Sequence, residues 1–256
     1  MKSILFLILL IFSFTSTVYA QERVADPDRA RSIFEEMENR RNSIKTEKAE
    51  LQMVITDSRG RTRNRTLQSW SENDGDDSKS LILFSAPGNV RGTGFLSIDE
   101  DGNQTQRLFL PSIGRIQTIS SAERGDQFMG SDFTYEDLGS QNSEDYEFDW
   151  LEINDQFYTI RATAIDSEQY TSIEFDILKE TYSIKTVRYF NQANQIIKRL
   201  ESEQFEQLSE NHWSPSIMTM FDLREDRKTE LTWSNRETNV QIEDWRFTER
   251  GLRRGL

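Results

Sequence analysis

The spacing of hydrophobic residues changes along the chain, from a helical period near the start to a two-residue period in the rest. Near the start, Asp26 can cap a helix that begins at Pro27. The apolar residues that follow recur at the three- and four-residue spacing of one helical face: Ala30, Ile33, Phe34 and Met37. This pattern predicts a helix over residues 26–42.

Further along, apolar and polar residues alternate one by one, which is typical of half-buried strands. Ala49, Leu51, Met53 and Ile55 set the pattern, and short polar turns separate one run from the next. Strands are predicted over 48–55, 62–71, 81–84, 92–98, 104–110, 113–119, 146–153, 156–165, 170–178, 184–190, 195–202, 217–223 and 228–233, with a polar loop over 71–80. Strands so closely spaced indicate a sequential antiparallel meander.

The alternation also predicts two unlike faces for this sheet. Ile173, Phe175 and Ile177 point one way, whereas Ser172 and Glu174 point the other way. A meander of this length must curl, because open twisted sheets rarely exceed about ten strands. We expect a mainly β fold with a few α-helices: a strongly curved antiparallel sheet, a half-open barrel, with helices covering a concave apolar cavity. The helices available are residues 26–42, 120–126 and 248–254.

The first twenty residues resemble a secretory signal peptide. Lys2 precedes an apolar run from Ile4 to Phe14, and small residues lead up to a cleavage point after Ala20. The run is short for a membrane anchor. We therefore expect a signal peptide over 1–20 and a single exported domain over 21–256.

Composition narrows the chemistry that is expected of this domain. The chain carries 31 Lys and Arg against 44 Asp and Glu, a net charge of −13, which disfavours nucleic acid as a partner. It has no cysteine and one histidine, His212, which disfavours thiolate chemistry and multi-histidine zinc sites. The acidic runs 73–77 and 99–103 contain the Asp-Gly and Gly-Asn pairs of hairpin turns and lack the distal glutamate of a calcium loop. We expect no metal, no cofactor and no enzyme activity.

One long segment is more distinctive than the rest. It combines Arg-Gly-Thr-Gly-Phe-Leu at 91–96, Leu-Phe-Leu-Pro at 108–111 and Phe-Met-Gly-Ser-Asp-Phe-Thr-Tyr-Glu-Asp-Leu at 128–138. With the signal peptide, the first helix and the meander, this pattern resembles the outer membrane lipoprotein-sorting protein family, whose fold is similar to that of LolA and LolB.

This resemblance implies a periplasmic carrier, without catalytic residues, that holds the acyl chains of a lipid or lipoprotein and moves them between the inner and outer membranes. It also implies two possible partners, an inner-membrane exporter of the resistance-nodulation-division (RND) type and an outer-membrane acceptor, and we expect a monomer. The alternative is a periplasmic sensor or adaptor of the same fold that binds lipid or a membrane-protein domain without transport.

An acyl cavity needs large, adaptable apolar side chains. The candidates for its lining are Phe95, Leu96, Leu108, Leu110, Phe128, Met129, Phe133, Phe175, Met218, Met220 and Phe221. Ordinary core packing between sheet and helix is the alternative role for each of them.

Overall fold

The computed structural model describes residues 23–139, 142–165, 167 and 169–254. The predicted signal peptide lies outside these residues. Two α-helices and fourteen strands are described: α1 (Pro27–Arg41), α2 (Glu249–Arg254), β1 (Arg23–Val24), β2 (Thr46–Thr56), β3 (Thr62–Asp74), β4 (Asp77–Ala86), β5 (Gly94–Glu100), β6 (Asn103–Leu110), β7 (Arg115–Ile119), β8 (Tyr146–Ile153), β9 (Phe157–Ala164), β10 (Ser172–Leu178), β11 (Ile184–Phe190), β12 (Ile196–Ser209), β13 (His212–Asp222) and β14 (Arg227–Thr238). Within the described ranges, neither helix has the length and apolarity needed to cross a bilayer.

Helix α1 begins and ends where the sequence predicts. The Asp26 carboxylate accepts a hydrogen bond from the Arg29 amide at 3.1 Å, and Pro27 occupies the first helical turn. Arg40 and Arg41 lie in the last turn, where positive charge is favourable. The predicted apolar face is buried.

All fourteen strands form one antiparallel sheet, but their order is not the sequential one that we predicted. The order is β1-β8-β9-β10-β11-β12-β13-β14-β2-β3-β4-β5-β6-β7, so β14 pairs with β2 and joins two shorter meanders. Thr229 lies opposite Ile55, and Leu231 lies opposite Met53, across this seam. The sheet is not closed, since β7 forms one edge and β1 with β8 the other. The chain from β7 to β8 therefore passes from one edge of the sheet to the other.

The predicted polar loop over 71–80 is wrong. Strand β3 continues to Asp74 and β4 starts at Asp77, so a tight hairpin replaces the loop, with Gly75 at φ +66°. The outer ends of β12 and β13 likewise extend past the predicted boundaries. These extensions are polar two-stranded ribbons, which lack the apolar alternation on which the strand predictions rest.

The curved sheet buries one large apolar cluster on its concave face. The cluster takes side chains from β2 to β6 and from β8 to β14, including Met53, Phe84, Phe95 and Phe175, together with the apolar face of α1. Residues from distant strands can meet in one cluster because the sheet bends around them.

A second, smaller cluster lies on the outer face, where Trp70, Leu81 and Leu96 pack against Phe247 and Leu252 of the C-terminal segment. Helix α2 therefore covers the outer face of β5 and β6. Our expectation that residues 248–254 help to cover the concave face is wrong.

Elsewhere the outer face is polar but not fully solvated. Glu174 of β10 is buried between two guanidinium groups, with its carboxylate 3.2 Å from Arg161 Nη1 and 3.0 Å from Arg188 Nε. Arg188 also pairs with Asp176 at 2.6 Å, and these hydrogen bonds raise the pKa of Arg188. Cross-strand ion pairs thus connect neighbouring strands on the outer face, which the alternation of apolar and polar residues predicts to be solvated.

Candidate functional site

The connection between β7 and β8 inserts into the concave face, and we call residues 120–139 the plug loop. Its centre is a small hairpin-like unit in which the Phe128 amide donates to the Phe133 carbonyl at 2.8 Å. The Ser131 hydroxyl donates to the Phe128 carbonyl at 2.7 Å, a hydrogen bond within the turn that stabilises it. The distinctive segment 128–138 of the sequence therefore belongs to this inserted loop.

Phe128 is the deepest apolar side chain of the plug loop. It is 1% exposed, and its ring lies 5.8 Å from that of Phe84, 5.3 Å from that of Phe95 and 5.7 Å from that of Tyr135. Such spacing is typical of packed aromatic clusters. One aromatic residue of the loop therefore fills the middle of the concave face over β4 and β5.

Helix α1 fills the other half of the concave face in a similar way. Phe34 is fully buried, with ring centroids 5.5 Å from Tyr146, 5.4 Å from Phe148 and 5.2 Å from Phe175. The helix is fixed at the sheet edge by Arg31, which donates to the Tyr146 carbonyl at 3.1 Å. In this state the concave face is filled by the chain's own side chains.

Polar contacts fasten the plug loop to β14. The Asp132 amide donates to the Thr229 hydroxyl at 2.9 Å, and that hydroxyl donates to the Asp132 carboxylate at 2.6 Å. Arg227 Nη2 lies 3.3 Å from the same carboxylate. Burial raises the pKa of Asp132, and the Thr229 hydrogen bond and the Arg227 charge partly oppose that rise.

A buried ion pair fastens the loop to β12. Lys198 Nζ lies 2.6 Å from the Asp137 carboxylate, and both side chains are 3% exposed. Lys198 also donates to the Tyr170 hydroxyl at 3.0 Å, and burial raises the pKa of Tyr170 well above its usual value. Removing one partner of such a pair leaves an uncompensated buried charge, which costs about 3–5 kcal/mol. The pair therefore fixes the position of the loop on β12, and either residue alone would be unfavourable in this place.

A polar crevice of about 350 Å³ opens along the margin of the plug loop. It is lined by Gly125, Gln127, Asp132, Thr134, Gln169, Ile197, Lys198, Asp222 and Arg224. Water can therefore approach the loop from this side.

The tip of the plug loop has an unusual backbone. Met129 and Gly130 both adopt positive φ, at +51° and +71°. A non-glycine residue in this region costs about 1 kcal/mol, and such strain persists only where the surroundings impose it. Two guanidinium groups do so here, because Arg63 and Arg227 both donate to the Gly130 carbonyl, at 3.3 and 3.2 Å.

The structure brings nine of the eleven predicted lining residues into the concave cluster. Six are buried: Phe95, Leu108, Phe128, Phe133, Phe175 and Met220. Leu110, Met129 and Met218 are partly buried and pack against the cluster.

Leu96 and Phe221 lie elsewhere, so their prediction as concave-face residues is wrong. Leu96 lies in the outer-face cluster, and Phe221 lies opposite Arg199, whose guanidinium stacks over its ring at 5.0 Å. Each follows a concave-face residue directly in its strand, so it must point to the opposite face.

Several residues of the site are missing from the sequence-based set. The aromatic partners Phe34, Phe84 and Tyr135 and the fastening residues Lys198 and Thr229 are examples. Phe34 could be found from the helical period. The partners of Lys198 could not, because 61 residues separate it from Asp137 in the chain.

The described residues include no cluster of three or more acidic or histidine side chains arranged to hold a metal ion. The runs 73–77 and 99–103 instead form hairpin turns, with Gly75, Asp101 and Gly102 at positive φ.

A family model described only as an uncharacterized protein matches residues 76–254. No curated protein matches the chain.

Three solved structures share this architecture. An outer membrane lipoprotein-sorting protein domain from Vibrio parahaemolyticus is 26% identical, with a TM-score of 0.83, and the alignment covers 89% of this chain and 100% of that domain. A DUF1329 family protein from Desulfovibrio piger is 21% identical, with a TM-score of 0.82 and coverage of 90% and 100%. A LolA superfamily protein from Nitrosomonas europaea is 18% identical, with a TM-score of 0.66 and coverage of 88% and 98%.

Proposed function

The chain belongs to the family whose model matches residues 76–254 and has a LolA-like fold, and from this premise we propose that it is a periplasmic carrier of acyl chains. Its cargo is a lipid or a lipoprotein, which it moves between the inner and outer membranes. The description of the similar Vibrio domain as a lipoprotein-sorting protein supports this proposal. No step of the proposal requires a catalytic residue.

The observation that carries the proposal is the way in which the plug loop fills the concave face. Phe128 lies in the apolar cluster, whereas the loop is fastened by side-chain contacts such as Asp132 to Thr229 and Asp137 to Lys198. Because the loop contributes no strand to the sheet, its apolar and polar contacts can be broken while the sheet stays intact. We propose that the closed form is the empty carrier and that an acyl chain takes the place of Phe128.

The free energies allow the opened carrier to shield an acyl chain from water. Removing a CH₂ group from water contributes about 0.8 kcal/mol, so a sixteen-carbon chain in the carrier is stabilised by roughly 12 kcal/mol relative to the same chain in the aqueous periplasm. Withdrawing a phenylalanine from the core costs about 1.5–3 kcal/mol. Even with two further aromatic residues and the polar contacts displaced, a long acyl chain can offset the opening of the loop.

The proposal extends to the partners of the carrier. We propose that an inner-membrane exporter of the RND type delivers the cargo and that an outer-membrane acceptor receives it. The plug loop must then be displaced at the donor membrane and return to the concave face when the acceptor has taken the cargo.

The test is a transfer assay with a disulfide that locks the plug loop. The natural chain has no cysteine, so Asp132→Cys with Thr229→Cys introduces the only two thiols, at positions whose side-chain oxygens lie 2.6 Å apart. Donor vesicles of phosphatidylethanolamine and phosphatidylglycerol carry a pyrene-labelled acyl chain, and acceptor vesicles are unlabelled. We expect the oxidised variant to transfer no label and the reduced variant to transfer it.

A second disulfide serves as the matched control. Ser71→Cys with Ser80→Cys joins β3 to β4 at a directly paired position. It forms no covalent link to the plug loop, so this variant should transfer label whether oxidised or reduced. Equal transfer by the locked and unlocked loop would contradict the proposal, and tight lipid binding without any transfer would favour a sensor.

A further inference from the structure

Arg65 is a charged residue in an apolar place. It lies on β3 opposite Met53, which puts it on the concave face, and it is 8% exposed. Its guanidinium is 5.6 Å from the Phe84 ring, and its hydrogen bond goes to Met53 Sδ at 3.9 Å. Among the described residues no carboxylate forms an ion pair with it. Burial and the nearby Arg63 charge both lower the pKa of Arg65.

A buried cation without an anionic partner is unfavourable, and apolar side chains of similar volume would fill the same space more cheaply. Two other cations that contact the plug loop do have anionic partners: buried Lys198 pairs with Asp137, and half-buried Arg227 pairs with Asp132. The contacts of Arg65 are thus a thioether and an aromatic ring, neither of which neutralises its charge.

Two more guanidinium groups converge beside it. Arg63 lies two residues before Arg65 on the same face of β3, and Arg227 lies on β14 at the same end of the sheet. Both donate to the Gly130 carbonyl oxygen, which takes the place that an anionic oxygen would occupy between them. Arg227 also pairs with Glu225 at 3.1 Å, so Arg63 and Arg65 are the cations that become available when the plug loop leaves.

We infer that Arg65 and Arg63, with Arg227 at their side, form a binding site for the anionic group of an amphiphile, a phosphate or a carboxylate, whose acyl chain replaces Phe128. This inference rests on the proposed function and specifies the cargo class of the same site. Guanidinium groups suit it because they bind phosphate and carboxylate oxygens in a bidentate manner.

The experiment compares ligands that share one chain length and differ in the head group. Binding of dodecyl phosphate, dodecanoate, dodecanol and inorganic phosphate to the mature chain is measured by calorimetry below their aggregation concentrations. We expect the two anionic amphiphiles to bind about tenfold more tightly than dodecanol, as one charge-assisted contact provides. Inorganic phosphate should bind far more weakly than dodecyl phosphate.

Arg65→Met removes the charge and keeps an apolar side chain of fitting length. It should weaken dodecyl phosphate binding about tenfold and leave dodecanol binding unchanged, whereas Arg65→Lys should keep part of the preference. Arg107→Met, on the outer face opposite Leu96, is the matched control and should bind every ligand as the natural chain does.

The possible failures separate the two proposals. If no amphiphile binds, the carrier proposal and this inference fail together. If dodecanol binds as tightly as dodecyl phosphate, the carrier proposal stands and the anion site is wrong. If inorganic phosphate binds as tightly as dodecyl phosphate, the site takes a free anion and the inference about the amphiphile is overturned.

Discussion

At the scale of single residues, His212 gives the fold a sensitivity to acid. It opens β13, and burial together with the charges of Arg41 and Arg236 lowers its pKa from 6.5 to about 4. The unfolded chain therefore binds a proton between pH 6.5 and 4 that the folded chain does not bind. Stability falls as the pH drops through this range and levels off below it.

His212→Gln removes this proton and should flatten that part of the pH profile. One proton can change the free energy of unfolding by at most about 1.4 kcal/mol for each pH unit. We expect His212 to contribute about half of this slope because its imidazole is partly exposed. Urea unfolding of both chains at intervals from pH 7.5 to 4 measures the difference. Carboxylates also titrate in this range, but they do so in both chains, so the difference between the two stability curves reports His212. A difference that stays constant across the range would contradict the prediction.

Residue-scale prediction from the sequence succeeds where the strand period is used and fails where it is ignored. Phe95 and Leu96 are adjacent in β5, as are Met220 and Phe221 in β13, so only one of each pair can face the cluster. The structure puts Phe95 and Met220 there. Arg65 shows a second way in which prediction fails. The strand period places it on the concave face, but a charged residue is normally assigned to the solvated face.

At the scale of elements, the C-terminal segment is held to the outer face by an unusually close contact. A Cβ at Gly94 would lie 2.7 Å from Leu252 Cδ1 and 2.8 Å from Leu83 Cδ2. Glycine at this position lets α2 approach β5 directly. The segment in turn covers Trp70 and Leu81, which would otherwise expose an apolar patch.

Gly94→Ala should therefore loosen α2 without disturbing the concave face. Overpacking of this kind costs about 1–3 kcal/mol. Hydrogen exchange should show faster exchange in residues 244–254 and little change in α1. Gly88→Ala is the matched control, since its Cβ would meet nothing within 4 Å and it should leave exchange as it is. Unchanged exchange of 244–254 in Gly94→Ala would show that the contact relaxes freely.

Element types follow well from the sequence, whereas their partners do not. The local period predicts α1 and nearly every strand, because burial of one face imposes that period on the residues themselves. Whether α2 covers the concave or the outer face depends on a non-local contact with Gly94 and Leu83 that leaves no periodic signal. The same holds for the plug loop, whose motif is conspicuous in the sequence while its position under the sheet is not.

At the scale of the whole molecule, the seam between β14 and β2 unites the two meanders. Its paired residues lie far apart in the chain, with 231 − 53 = 178 positions between Leu231 and Met53. A sequence reading that favours neighbours in the chain predicts a sequential order, because most strands do pair with the next one. Nothing local in β2 or β14 signals their pairing, and the concave cluster is continuous only because of it.

Leu231→Ala tests whether this seam makes the two meanders one cooperative unit. Leu231 is buried on the concave face, and its truncation should cost about 3 kcal/mol as a core cavity does. If the meanders unfold together, amides of β4 in one meander and of β10 in the other should lose protection by the same free energy. Hydrogen exchange followed by mass spectrometry measures both at once, with Glu230→Ala, one position along and on the opposite face, as the control. Loss of protection confined to one meander would mean that the seam joins two separately stable halves, and the plug loop, which contacts both β14 and β4, would then bridge two independent units.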